Sequence, residues 1–77
     1  MRAEEIREAQ RRQPFIPFTM HLADGRDFTV NHPDFLFVSG SGRLARVEDL
    51  DGNGEMIDPL LVVSLTIPAG RAEPATG

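Results

Sequence analysis

The sequence has no cysteine and no lysine. The first absence excludes a disulfide framework and a thiolate zinc site, and leaves the redox compartment unspecified. The second makes all eight basic residues arginine, set against twelve Asp and Glu for a net charge of −4. Such a balance lacks the basic excess on which non-specific nucleic-acid binding rests. No apolar run approaches the ~20 residues of a membrane span. The opening MRAEEIREAQRR lacks the apolar stretch of a secretory signal, so a cytoplasmic location with no membrane association is expected. No serine or cysteine nucleophile stands in a recognisable motif. The short GSG at 40–42 lacks the lysine and helix of a phosphate-binding loop. No cofactor and no catalytic residue are therefore expected.

What is present suits one small domain. A chain of 77 residues buries only ~60% of the surface that its unfolded form exposes, so its stability needs a supplement, and with disulfides excluded oligomerisation is the obvious one. Residues 1–68 are read as that domain and 69–77, AGRAEPATG, as a disordered tail.

Residues 3–12 place acids early (Glu4, Glu5) and arginines late (Arg11, Arg12), the polarity that suits a helix dipole. The apolar stripe, Ala3, Ile6 and Ala9, is thin, and Pro14 ends the helix. From Phe18 the period becomes two. Phe18, Met20 and Leu22 form one face of a strand, and Phe28 and Val30 form one face of the next. A two-residue turn would set Met20 opposite Thr29, apolar against polar. A three-residue loop, Ala23-Asp24-Gly25 with Gly25 left-handed, instead pairs Met20 with Phe28 and Phe18 with Val30.

His32-Pro33 breaks the second strand. The run Phe35 to Val38 resumes as a third, without alternation, and reads as covered on both faces. A fourth strand follows the Ser39–Gly42 turn over 44–48. Met56-Ile57 leads on to Asp58-Pro59, and the last strand runs from Leu61, with Leu61, Val63, Leu65 and Ile67 on one face and Val62, Ser64 and Thr66 on the other. The expected core is Phe18, Met20, Leu22, Phe28, Val30, Leu36, Val38, Val47, Leu61, Val63, Leu65 and Ile67. The fold class is mainly β with one N-terminal helix, a small, strongly bent antiparallel sheet or barrel of about five strands. Apolar residues on both sides of two strands predict self-association through unpaired strand edges.

Between the fourth and last strands stands EDLDGNGEMIDP. Asp49, Asp51, Asn53 and Gly54 match the early ligand positions of a calcium-binding loop. The twelfth position is Leu60 rather than a bidentate glutamate, and no helical pattern flanks the loop. A turn built on Asp-Gly and Asn-Gly accounts for the same residues without an ion, leaving Asp49, Asp51 and Asn53 as a metal site only in the second place. His21, His32 and Asp34 do not assemble into a joint site either. His21 lies on the strand face opposite to Met20, and His32-Pro33-Asp34 reads as a strand bend in which Asp34 bonds the backbone ahead. Phe35 and Phe37 read as core or interface before they read as a stacking platform for bases.

The layout of 3–68, a short helix followed by HLADGRDFTV, HPDFLFV and DPLLVVSLTIP, resembles the Sm-like family of small barrels in its Hfq-type form. The resemblance implies an SH3-like barrel whose last two strands pair across subunits to close a ring. It also implies RNA contacts at the bend after the second strand, where Asp34 and Phe35 fall, and at the turn before the last strand, where Asp58 and Pro59 fall, with a basic ring lined by Arg26, Arg43 or Arg46. RNA binding is thus the alternative to a non-enzymatic interaction module. The chain is also similar to short bacterial proteins with the pattern QPFxPFxxHLxDGRxFxVxHP, a likeness that carries no function.

Overall fold

In the computed structural model, which describes residues 1–69, the helix α1 spans Ala3–Arg11. Glu5 accepts a hydrogen bond from the Arg2 N–H (3.3 Å) at its start, and a cis Gln13–Pro14 bond follows its end. The thin stripe is deeply used, since Ile6 and Ala9 are both buried. Two polar side chains of α1 fasten it to the sheet beneath. Gln10 Nε2 donates to the carbonyls of Pro33 (3.0 Å) and Leu36 (2.6 Å), and Arg7 donates to the Ser39 carbonyl. The tail expected from 69 onward lies, from residue 70, outside the described residues.

Six strands follow: β1 (Phe18–Leu22), β2 (Asp27–Val30), β3 (Leu36–Val38), β4 (Ala45–Glu48), β5 (Gly54–Ile57) and β6 (Val62–Thr66). They form two three-stranded antiparallel sheets, ordered β2-β1-β6 and β3-β4-β5. This is the mainly β fold with an N-terminal helix that the sequence predicts, with one strand more. β5 carries no sequence signal because only Ile57 of its four residues is buried. A strand exposed along most of its length has no alternation to read.

The first hairpin has the predicted register, Phe18 opposite Val30 and Met20 opposite Phe28. Its loop is closed by Leu22 N–H to Arg26 O (2.8 Å) and Gly25 N–H to Leu22 O (3.0 Å), with Gly25 at φ +92°. The β4–β5 hairpin repeats this turn. Asp49 N–H donates to Asn53 O (2.9 Å) and Gly52 N–H to Asp49 O (3.1 Å), with Gly52 at φ +88°. In both hairpins an Asp-Gly pair supplies the left-handed residue that lets the strands twist without splaying.

β3 and β6 are each entered through a single 3-10 turn beginning with proline, at Pro33–Phe35 and Pro59–Leu61. The first is capped by His32, whose Nδ1 accepts from the Asp34 N–H (3.2 Å), so the bond runs from Asp34 to the histidine rather than forward from the Asp34 carboxylate. The second is capped by Asp58, which accepts from the Leu60 N–H (2.9 Å).

The core joins both sheets to α1: Ile6, Phe18, Met20, Leu22, Val30, Leu36, Ala45, Val47, Ile57 and Val62 are buried, and Phe28, Val38 and Leu65 pack against them partly exposed. No polar or charged residue is buried among the described residues. Three assignments are corrected. Phe37 faces solvent, so β3 is covered on one side only. Leu61, Val63 and Ile67 are exposed, whereas Val62 is fully buried. At Leu61 to Val63 the cause is a one-residue slip in the β1–β6 ladder, His21 standing opposite Ser64 but Leu22 opposite Val62, whereas Ile67 lies beyond the end of β6. Val63 is the extra residue of a β-bulge, which puts Val62 and Leu65 on one side despite their odd separation.

Candidate interaction surfaces

Three surfaces carry the side chains with chemistry. The outer face of the first sheet is polar. Thr19 and Thr29 hydroxyls are 2.9 Å apart, and one row crosses all three strands, Asp27 Oδ1 to His21 Nδ1 (2.8 Å) and His21 Nε2 to Thr66 Oγ1 (2.7 Å). The order of atoms is that of a nucleophile, base and acid, but all three groups are part of a solvent-facing ladder whose evident role is to tie β2, β1 and β6 together. The predicted register places His21 beside Asp27. Thr66 is not placed by the sequence, because nothing in it pairs β6 with β1.

The second surface is a cleft of about 430 Å³ between β2 and the β4–β5 hairpin. Phe28, Val47 and Leu50 supply its apolar lining, and Asp27, Glu48, Asp49, Asp51 and Glu55 its carboxylates, with no basic residue among those that line it. Arg26 reaches from the first hairpin to Glu55 (3.3 Å) and lies over the Phe28 ring, 5.5 Å from its centroid. No single motif signals this cleft, because its walls are brought together only by the packing of the two sheets.

Within it, Asp49 is the scaffold of the turn. Its Oδ1 accepts the N–H groups of Asp51 and Asn53, each at 2.9 Å, and its Oδ2 accepts Asn53 Nδ2 at 3.2 Å. The Asn53 side-chain bond, followed by the backbone bonds, holds the Asp49 carboxyl below its usual range. Asp24 of the first hairpin is lowered in the same way by the backbone N–H and guanidinium of Arg26. Of the candidate calcium ligands Asp49, Asp51 and Asn53, the first already accepts three hydrogen bonds from the loop. Among the described residues no three His, Cys, Asp or Glu side chains converge as a metal site requires.

The third surface is apolar. Among the described residues eight large hydrophobics are exposed, Phe37, Leu44, Leu50, Met56, Leu60, Leu61, Val63 and Ile67. The last five of these lie within the twelve residues 56–67, a stretch that carries the end of β5, the second 3-10 turn and β6. Each of these strands is the edge of its sheet. The narrow pairing at the Asp49–Asn53 turn fixes the alternation along β5, and leaves the N–H and C=O of Gly54 and Met56 on the free edge.

The residues considered for RNA fall on separate elements. Asp34 and Phe35 share the first 3-10 turn, with the Phe35 ring 5.7 Å from that of His32. Arg26 is in the first hairpin loop, paired with Asp24 (2.8 Å) and Glu55. Arg46 is in mid-β4, flanked across the ladder by Phe37 and Met56 and paired with Glu48. Arg43 is in the β3–β4 turn. No helix of the described residues is long and apolar enough to cross a membrane. No family model, curated protein or solved structure matches the chain.

Proposed function

We propose that this protein is a non-enzymatic interaction module that self-associates through the free edges of β5 and β6. The observation that carries the reading is the concentration of exposed apolar side chains, Met56, Leu60, Leu61, Val63 and Ile67, on the one stretch that supplies an edge strand to each sheet. Scattered single hydrophobics need no explanation, but apolar side chains gathered beside unpaired backbone groups are what a neighbouring strand covers. Closed symmetry is the usual outcome, as a two-fold dimer or a ring. The small core of a 77-residue chain gives such an interface a thermodynamic purpose.

Light scattering coupled to size exclusion, at tens of micromolar protein, tests this. A mass that is a multiple of 8.5 kDa is expected, and a clean monomer overturns the proposal. RNA binding in an Sm-like manner is the competing function. Of the arginines it would use, Arg26, Arg43 or Arg46, the first and last are paired with acids of the chain itself. Uridine- or adenosine-rich RNA should therefore bind no tighter than about micromolar at physiological salt, where net basic charge normally supplies the affinity. Nanomolar binding by fluorescence polarisation reverses the ranking.

A further inference from the structure

We infer that the cleft between β2 and the β4–β5 hairpin docks an extended peptide segment bearing arginine or lysine, which adds as a strand to the free edge of β2. The edge comes first. β2 pairs with β1 alone, and in that ladder Asp27 and Thr29 face His21 and Thr19 with their side chains in hydrogen-bonding contact. These are the positions whose N–H and C=O groups turn away from the partner strand. They therefore point outward on the side where Asp27, Phe28 and Thr29 line the cleft. No proline or lysine blunts this edge, as natural edges are usually blunted.

The volume, about 430 Å³, lies in the range of clefts that hold a ligand rather than a few waters. Its exposed Leu50 and partly exposed Phe28 offer alternate side chains of a strand somewhere to rest, which is how strand addition acquires selectivity. The charge fixes the chemistry of the occupant. Five carboxylates and no basic side chain line the cleft. Asp27, Glu48 and Glu55 are met from outside the lining by His21, Arg46 and Arg26, and Asp49 by its own loop. This leaves Asp51 as the carboxylate without a partner among the described residues. A nucleic acid is repelled there and a cationic segment attracted.

Among the described residues, the arginines at the helix ends and in the β3–β4 turn of a second copy do not fit the role. Arg11 closes α1 and Arg12 is its C-cap, Arg2 is its N-cap, and Arg43 sits in the tight β3–β4 turn. None of them belongs to a stretch free to lie extended along β2. The complementarity of charge assigns the site to a foreign cationic segment, and its docking is independent of self-association through β5 and β6.

The test is a fluorescence-polarisation titration of the full chain against a labelled peptide of alternating arginine and valine at low salt. Two control peptides are run beside it, one with glutamate replacing each arginine and one N-methylated at alternate peptide nitrogens. Saturable binding to the parent peptide is expected, with both controls weaker by about tenfold or more. Asp51→Arg should weaken the parent by a similar factor with an unchanged melting curve, because the Asp51 side chain holds nothing in the fold. Equal binding of the glutamate peptide overturns the charge argument, equal binding of the methylated peptide overturns strand addition, and no saturable binding at millimolar protein overturns the whole proposal.

Discussion

Leu22 stands opposite Val62, not Val63, and that one slip decides which face of the last strand is core. Val62 is 0% exposed and Val63 61%. Val62→Asp should therefore prevent folding, since an unpaired charge in an apolar interior has no compensation. The milder Val62→Ala should cost about 2 kcal/mol through lost transfer energy and a residual cavity. Val63→Asp should keep the circular-dichroism melt and lower the mass measured by light scattering. If Val63→Asp unfolds the chain while Val62→Asp is tolerated, the bulge is misplaced.

Asp49 couples the β4–β5 turn to pH. The hydrogen bonds from Asn53 and Asp51 favour its charged form, so its folded pKa lies below the ordinary 3.8. For a carboxyl lowered in the folded state, the stabilisation is complete above the unfolded value and disappears as pH falls through the folded one. The difference in urea midpoint between wild type and Asp49→Ala should be full near neutral pH and shrink only below the usual aspartate range. A gap that persists unchanged at about pH 2 contradicts this assignment. Millimolar calcium should leave the thermal midpoint unmoved, because a ligand that binds only the folded state must raise it. A rise of several degrees that the double substitution Asp49→Asn, Asp51→Asn removes establishes a metal site instead.

Gly52 is required by its backbone. At φ +88° an alanine pays the left-handed penalty of about 1–2 kcal/mol, and each kcal/mol is worth about 4–8 °C in a domain of this size. Gly40→Ala is the control, since its conformation is ordinary and a Cβ there meets nothing within 4 Å. It should be neutral or slightly stabilising by restricting the unfolded chain. Equal losses at the two positions would count against the turn geometry.

What the sequence disclosed follows from where local pattern is decisive. The Ala23-Asp24-Gly25 loop and two apolar faces admit one register, so the first hairpin could be placed residue by residue. The alternation in Leu61 to Ile67 assigns Ser64, Leu65 and Thr66 to their observed faces but inverts Leu61 to Val63, because a bulge is set by the partner strand rather than by the strand that carries it. Ile57 and Ala45 entered the core from short strands with exposed neighbours. The cleft was invisible for a different reason: its walls, β2 and the β4–β5 hairpin, are distant in sequence and belong to separate sheets.

The geometry of the two matching turns also governs chemical ageing. An Asp-Gly or Asn-Gly pair degrades when the glycine nitrogen attacks the preceding side-chain carbonyl to form a cyclic imide. At Asp24-Gly25 and Asp51-Gly52 that nitrogen is held in a hydrogen bond to Leu22 O or Asp49 O. At Asn53-Gly54 the nitrogen lies on the open edge of β5 with no such restraint. Asn53 is therefore the weak link of a stored sample, and its slow conversion to aspartate or isoaspartate, read by intact-mass spectrometry, is a clock that a strand laid along β5 stops.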